Sequence, residues 1–206
     1  MIPHEIKNII FDLGGVILDL DVARTHRAFG ELGGFSTAEI QSMAASEVFF
    51  NDFEKGLLSD KQFRDTTRAF LKTNASDEEI DAAWNAMLLK ISPEKYPLLE
   101  VLKTKYQVFL LSNTNTIHLQ HFNELVRHDT GRSELDFYFH KAYYSHRMNM
   151  RKPDTEIYVH VIGENKLTPK ETLFLDDNVD NLKTAAAMGI QTIHVTSPEM
   201  ILSLFA

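Results

Sequence analysis

The chain contains no cysteine. This absence excludes a disulfide-stapled scaffold, a catalytic thiol and a zinc site with cysteine ligands. Long apolar runs are also missing, because no stretch reaches the roughly 18 consecutive apolar residues that a membrane-spanning helix requires. Residues 1–11 lack the basic start and the small-residue cleavage site of a signal peptide. We therefore expect a cytoplasmic protein that has no membrane partner.

Basic residues are in short supply. The chain carries 21 Lys and Arg against 29 Asp and Glu, which gives a formal net charge of −8. Non-specific binding to nucleic acid needs a basic face, so we expect no nucleic-acid partner. Apolar residues make up 44% of the 206 residues and charged residues 24%, the composition of an ordinary globular protein. The length predicts one domain, or one domain that carries an insertion.

Short apolar runs divide the chain into two kinds of segment. The runs are continuous rather than alternating, which is typical of strands covered on both faces, and helical patterns separate most of them. This alternation predicts a parallel sheet with helical crossovers. Residues 20–96 lack such runs and contain three capping boxes, so we expect this segment to be wholly helical. The predicted strands are Ile6–Phe11, Gln107–Leu111, Lys141–Ser145, Thr172–Leu175 and Thr192–Val195.

Polar side chains follow three of the predicted strands, at the point where each strand ends. Asp12 ends the first strand, Ser112-Asn113 ends the second, and Asp176-Asp177 ends the fourth. Ligands of open parallel sheets bind at the carboxyl ends of the strands, so these groups are expected to meet at one edge. Taken singly, each is more often a turn, a loop or a helix cap. Their joint order along the chain is the informative feature.

The types of these side chains indicate a phosphate and a metal ion. Carboxylates that converge without a cation repel one another, and Mg²⁺ removes that penalty as the natural guest of an all-oxygen site. A Ser hydroxyl and the backbone N–H groups at a helix start can hold phosphate oxygens. Lys152, in the segment Arg151-Lys152-Pro153, adds a cation that a phosphoryl group needs as its charge shifts.

The order of these segments resembles the four motifs of the haloacid dehalogenase-like (HAD) hydrolase superfamily. The likeness covers nearly the whole chain, and the motifs are similar to those of the bacterial α-D-glucose-1-phosphate phosphatase subgroup. It implies an α/β fold: a Rossmann-like three-layer α/β/α core with a parallel sheet, formed by residues 1–19 plus 96–206. An inserted helical cap would span residues 20–95. The matching motifs are Phe11-Asp12-Leu13-Gly14-Gly15-Val16, Leu111-Ser112-Asn113-Thr114-Asn115, Met150-Arg151-Lys152-Pro153-Asp154 and Leu175-Asp176-Asp177-Asn178.

The resemblance also implies roles for individual residues. Asp12 would be the nucleophile that forms an aspartyl-phosphate, and Lys152 would act beside it. The cap segment after Phe53 resembles a substrate-facing loop, although a plain helix–helix turn with exposed charges explains the same residues. The implied contacts are Ser112, Asn113 and Lys152 to the phosphate, Asp12, the Gly14 carbonyl, Asp177 and Asp176 to Mg²⁺, and Glu54, Lys55 and Gly56 in the cap loop.

One departure from the family pattern concerns Gly14. Most phosphatases of the superfamily carry a second Asp there, two residues after the nucleophile, which protonates the leaving oxygen. Three explanations stay open: a substrate with a good leaving group, a substitute such as Asp19, Asp21 or a cap residue, or slow turnover. Dehalogenases of the superfamily usually carry Tyr at this position and need no metal.

These observations predict a Mg²⁺-dependent phosphatase that is a monomer or a homodimer. The expected substrate is a small phosphorylated metabolite, in particular a sugar phosphate such as a hexose 1-phosphate, because an anomeric oxygen leaves without much help. The competing hypothesis is a non-catalytic or very slow phosphate-binding regulatory module. A 2-haloacid dehalogenase is a third and less favoured reading of the same residues.

Overall fold

Five parallel strands form the central sheet of the computed structural model, which describes residues 2–206. Met1, the first residue of the predicted core segment, lies outside the described residues. The sheet order is β5-β4-β1-β6-β7, so the first strand lies in the middle. These strands agree with the five predicted ones to within two residues at each end. They are β1 (Asn8–Phe11), β4 (Gln107–Ser112), β5 (Lys141–Tyr144), β6 (Thr172–Asp176) and β7 (Gln191–His194).

The continuous apolar runs arise because both faces of the sheet are covered. In β1, Ile9 and Phe11 belong to the hydrophobic cluster on one face, whereas Ile10 belongs to the cluster on the other face. On the first face lie α6 (Lys95–Lys105), α7 (Thr116–Thr130) and α11 (Met200–Leu204). On the second face lie α9 (Thr155–Glu164) and α10 (Val179–Ala187). This is the predicted Rossmann-like three-layer α/β/α architecture.

Short helical elements complete the core. A one-turn helix α8 (Ser145–Met148) follows β5, and 3₁₀ helices cover Leu135–Tyr138 and Pro169–Glu171. Among the helices of residues 2–206, none combines the length and the apolar character needed to cross a bilayer.

Five helices form a separate layer between β1 and α6. The three predicted capping boxes are all formed, at the starts of α2, α4 and α5. The helices enclose their own cluster of buried side chains, which is rich in Phe and includes Trp84. They are α1 (Val22–Gly33), α2 (Thr37–Ala44), α3 (Phe49–Glu54), α4 (Asp60–Leu71) and α5 (Asp77–Asn85).

The expectation of a wholly helical segment from 20 to 96 is wrong near both ends, where residues of the segment form strands. Leu88–Ile91 forms strand β3, which pairs antiparallel with β2 (Leu18–Leu20). The physical reason is burial, because Leu88 and Ile91 join the cluster of the sheet rather than that of the cap helices. The two strands connect the helical layer to the rest of the chain. We propose that residues 20–95 act as a cap joined to the core by this pair.

A buried lysine links the two segments that join the helical layer to the core. Lys95, at the start of α6, is fully buried, and its ammonium donates to the carbonyls of Val16 and Ile17 at 3.3 and 2.8 Å. The same Nζ lies 3.3 Å from the Asp19 carboxylate in β2. A buried charge is tolerated only when it is paired in this way. Lys95 therefore ties the chain leaving β1 to the chain returning from the helical layer.

The helical layer also contacts the core through the turn after α3. Gly56 has a φ of 69°, and a side-chain carbon at this position would collide with the carbonyl oxygen of His146. The Ser145 hydroxyl donates to the Glu54 carbonyl at 2.6 Å, and Asn149 Nδ2 donates to the Lys55 carbonyl at 2.9 Å. A close backbone approach, rather than the turn alone, therefore requires glycine at position 56.

Replacing Lys95 with Ala is expected to lower the free energy of unfolding by about 3 kcal/mol, because it leaves a partly buried carboxylate and two carbonyls unpaired. Urea denaturation measures this change. Lys61→Ala is the control, because Lys61 forms an exposed pair with Asp65. That change is expected to stay within about 0.5 kcal/mol. Equal losses in the two variants would contradict the stabilising role of Lys95.

Gly56→Ala is expected to destabilise the protein more than Gly131→Ala. Gly131 has a φ of 73° with open space around it, so Ala there incurs the backbone penalty alone, about 1 kcal/mol. Ala at 56 incurs the same penalty and also displaces the turn from His146. Thermal and urea unfolding compare the two variants. Equal destabilisation would show that the contact with His146 adds nothing.

Candidate active site

Strand register brings the acids together. Phe11 of β1 pairs with Leu175 of β6, so the residues that follow them, Asp12 and Asp176, end neighbouring strands side by side. Carboxylate oxygens of Asp12, Asp176 and Asp177 all lie within 4.8 Å of one another. The sequence prediction that strand ends deliver carboxylates to one edge of the sheet is confirmed.

Lys152 lies inside this cluster. Its Nζ is 2.8 Å from Asp12 Oδ1 and 2.7 Å from Asp176 Oδ2, and all three residues are buried. Burial opposes the charge of Lys152, but the attraction of Asp12 and Asp176 prevails and raises the pKa of the ammonium above its ordinary value. Lys152 is therefore a buried cation that touches two of the three carboxylates.

The carboxylates carry more negative charge than Lys152 neutralises. Burial raises the pKa of Asp12 to about 7, and the charges of Asp176 and Asp177 add to this rise while Lys152 opposes it. Burial and the neighbouring Asp176 also raise the pKa of Asp177. Three carboxylates beside one ammonium leave an excess of negative charge, which a divalent cation would neutralise. The residues present therefore fit Mg²⁺.

The turn after β1 supports this fit. Gly15 has a φ of 70°, and a side-chain carbon there would collide with the Asp177 carboxylate, so glycine allows the chain to pass close to the acids. Among the described residues, none donates a hydrogen bond to the carbonyl of Gly14. An oxygen without a protein partner is available to a cation. The carboxylates predicted as metal ligands, those of Asp12, Asp176 and Asp177, thus lie together. The turn that contains Gly14, whose carbonyl is the fourth predicted ligand, passes beside them.

Amide side chains hold the charged groups in place. Asn181 Nδ2 donates to both carboxylate oxygens of Asp176, at 3.0 and 3.1 Å. Asn113 Nδ2 donates to the Lys152 carbonyl at 2.9 Å, and Asn113 Oδ1 accepts from the Lys152 backbone N–H at 2.9 Å. The side chain of Asn113 thus positions the Lys152 backbone. Ser112 is buried at the end of β4, beside Asn113.

A cavity of about 290 Å³ opens beside this edge and reaches the cap. Its polar residues are those of the β4 end together with Glu54 and His118, and its remaining walls are mostly apolar. A larger cavity of about 440 Å³ lies at the opposite edge of the sheet, away from the acids. The cavity by the acids is lined by Leu13, Gly14, Leu18, Leu20, Val22, Glu54, Trp84, Met87, Leu88, Ser112, Asn113, Thr114, His118 and Phe122.

The predicted cap loop divides into three different positions. Glu54 lines the cavity, and its Oε2 accepts from Arg151 Nη2 at 2.8 Å. Lys55 is not among the lining residues and pairs with Asp154 at 3.1 Å. Gly56 contacts the core at His146. Of the three residues, the structure therefore places Glu54 alone at the cavity.

Sequence reasoning missed several lining residues. Leu20 lies in β2 and Met87 directly precedes β3, and neither strand was predicted. Trp84 is buried in the cluster of the five helices and also borders the cavity. His118 stacks on Trp84 with ring centroids 4.6 Å apart. Its place three residues after the helix cap Asn115, on the helix that starts at the sheet edge, was the available signal.

Comparisons with known proteins agree with this geometry. A sequence model described as haloacid dehalogenase-like hydrolase matches residues 6–189. The D-ribitol-5-phosphate phosphatase of Bacteroides thetaiotaomicron is 31% identical over 187 residues, which cover 91% of this chain and 90% of that enzyme. The phosphorylated carbohydrates phosphatase of Thermotoga maritima is 25% identical and matches 90% of this chain and 83% of its own length.

Solved structures give the same result. A HAD family enzyme from Bacteroides thetaiotaomicron has a TM-score of 0.89 and 38% identity, covering 98% of both chains. A second structure of that enzyme is a complex with magnesium and inorganic phosphate, with a TM-score of 0.81 and coverage of 92% and 93%. Since the family match spans residues 6–189 and a relative is 31% identical over 91% of the chain, this protein is an enzyme of the haloacid dehalogenase-like hydrolase family.

Proposed function

We propose that this enzyme is a Mg²⁺-dependent phosphatase that hydrolyses a small phosphorylated carbohydrate. The observation that carries the proposal is the cluster of Asp12, Asp176 and Asp177 around the buried ammonium of Lys152. Such a cluster combines a nucleophilic carboxylate with cations for a phosphoryl group. The names of the Bacteroides and Thermotoga relatives support a phosphorylated carbohydrate as the substrate.

The first step transfers the phosphoryl group to the protein. An Asp12 oxygen attacks phosphorus in line, the bond from phosphorus to the ester oxygen breaks, and the alcohol oxygen leaves with the electron pair. Lys152, Ser112 and the Asn113 backbone N–H hold the other phosphate oxygens. Asp12, the Gly14 carbonyl and Asp177, supported by Asp176, would hold Mg²⁺, which when bound would neutralise charge on the phosphoryl group.

The second step returns the protein to its starting state. Water attacks the phosphorus of the aspartyl-phosphate and passes its proton to solvent, the bond between phosphorus and the Asp12 oxygen breaks, and inorganic phosphate departs. The Asp12 carboxylate is thereby regenerated. Because Lys152 touches both Asp12 and Asp176, its position is maintained whether Asp12 is free or phosphorylated.

The finer proposal is a hexose 1-phosphate. Gly14 offers no side-chain acid, and the two nearby carboxylates considered from the sequence have other partners: Asp19 pairs with Lys95, and Asp21 caps α1. An anomeric oxygen leaves more readily than a simple alcohol oxygen. The substrate in the name of the Bacteroides relative, a polyol 5-phosphate, has a primary alcohol instead. A substrate panel therefore has to contain both kinds of ester.

A non-catalytic phosphate-binding module is the competing hypothesis. A binding module has no need of a carboxylate at Asp12 held 2.8 Å from a buried lysine, which supports catalysis. A dehalogenase needs no metal, whereas the acids here fit one. Release of inorganic phosphate in the presence of Mg²⁺, and its loss with EDTA, separates catalysis from binding.

Asp12→Asn is expected to abolish phosphate release from sugar phosphates and from p-nitrophenyl phosphate, because the amide is a poor nucleophile. The measurement is inorganic phosphate released per enzyme with Mg²⁺ and with EDTA. Asp180→Asn is the control, because Asp180 lies three residues beyond Asp177 and pairs with the exposed Lys183. Wild-type-like turnover in Asp12→Asn would contradict the nucleophile assignment.

Asp177→Asn is expected to raise the Mg²⁺ concentration for half-maximal activity by about 10-fold or more, through loss of one charged ligand. A Mg²⁺ titration of phosphate release measures this change. The same titration in Asp180→Asn is expected to match the wild type. An unchanged titration in Asp177→Asn would contradict its assignment as a metal ligand.

A further inference from the structure

The wall of the cavity beside Gly14 is made by Leu20. A side-chain carbon built on Gly14 would lie 2.5 Å from Leu20 Cδ1, so the tip of Leu20 fills the space next to the Gly14 backbone. Both residues line the cavity that opens beside the acid cluster. Leu13 and Leu18 also line this cavity, so much of its lining near Gly14 consists of carbon atoms.

The titratable side chains that line this cavity are Glu54 and His118, as far as residues 2–206 show. His118 is buried against Trp84, its Nε2 lies 3.2 Å from the Trp84 carbonyl, and burial lowers its pKa to about 3. It is therefore neutral at physiological pH, and its Nε2–H donates to the Trp84 carbonyl. The Oε2 atom of Glu54 accepts two hydrogen bonds from Arg151, at 3.2 and 2.8 Å. Neither group is set up to give a proton to a leaving oxygen.

The chemical consequence concerns the bond that breaks. When the bond from phosphorus to the ester oxygen is cleaved, the oxygen departs with the electron pair and bears negative charge until it gains a proton. A positioned acid is typically worth about 10²- to 10⁴-fold in rate. Without one, the rate depends on how well the alcohol oxygen itself carries the charge.

We propose that Leu20 is a specificity-determining residue that keeps the leaving-group side of the site free of a proton donor and so restricts the enzyme to esters of acidic alcohols. The substrate class is phosphate monoesters at an anomeric carbon, and aryl phosphates serve as test compounds of the same reactivity. The inference depends on the proposed phosphatase function and adds the reason for its selectivity. Primary alkyl phosphates are slow substrates.

The first experiment uses the wild-type enzyme and a series of substituted phenyl phosphates that differ in the acidity of the phenol. The value of kcat/KM reports the step in which the alcohol leaves, because hydrolysis of the intermediate comes after it. We expect kcat/KM to rise steeply with phenol acidity. A hexose 1-phosphate is expected to exceed the 6-phosphate of the same hexose by about 10²-fold or more. A flat dependence on phenol acidity would overturn the inference.

The second experiment compares Leu20→Asp with Leu20→Asn. Both side chains have nearly the shape of leucine and place a polar atom where Cδ1 lies, but the Asp side chain alone can carry a proton to the leaving oxygen. We expect Leu20→Asp to raise kcat/KM on the hexose 6-phosphate by about 10-fold or more relative to Leu20→Asn, and to make the phenol series shallower. Leu20→Asn is expected to keep the wild-type slope. Equal slopes in the two variants would overturn the role of Leu20.

The outcomes separate the inference from the proposed function. Failure to release phosphate from every ester in the presence of Mg²⁺ would overturn the function and the inference together. Mg²⁺-dependent release with no preference for acidic alcohols would overturn the inference alone. Should both Leu20 variants be unfolded by circular dichroism, the wild-type phenol series still tests the selectivity, and the same comparison of Leu20→Glu with Leu20→Gln tests the role of Leu20.

Discussion

Lys152 carries the buried positive charge on which the arrangement of the site depends. Its ammonium lies 2.8 Å from Asp12 and 2.7 Å from Asp176, and water reaches none of the three to a significant extent. Removing one partner of a buried ion pair costs about 3–5 kcal/mol, so these groups are tied to one another. Asp177 adds a further carboxylate, and the remaining negative charge is what makes a divalent cation part of the site.

The scaffold fixes these charges through backbone register and amide side chains. The pairing of Phe11 with Leu175 sets the acids at the same height on neighbouring strands. Asn181 donates to Asp176, and Asn113 bonds both backbone groups of Lys152. A group held at two points loses little freedom when a phosphate binds, which is the condition for electrostatic preorganisation. The sheet supplies the positions, and the two asparagines keep the charged groups in them.

The features that could be predicted from the sequence are those encoded locally. The continuous run Ile9–Phe11 indicated a strand covered on both faces, and the structure puts its residues alternately into two clusters. Capping boxes and strand-end acids are equally local signals. Strand β3 could not be predicted in this way, because Leu88–Ile91 is short and takes its conformation from pairing with residues about 70 positions earlier in the chain. Leu20, whose tip lies next to Gly14, takes part in that same long-range pairing through Leu88.

The two sides of the site differ in how well they stabilise negative charge, and this difference affects which esters can react. On the core side, Lys152 and a divalent cation held by the acids would neutralise the phosphoryl oxygens. On the cap side, Leu20 and its apolar neighbours line the cavity with carbon atoms, which can donate no hydrogen bond to a leaving oxygen there. An unpaired charge is less stable against carbon than in water, so this wall does more than omit an acid. It penalises a strongly basic leaving oxygen further, and a weakly basic one much less. The lack of an acid already favours esters with a weakly basic leaving oxygen. The apolar wall therefore increases this preference.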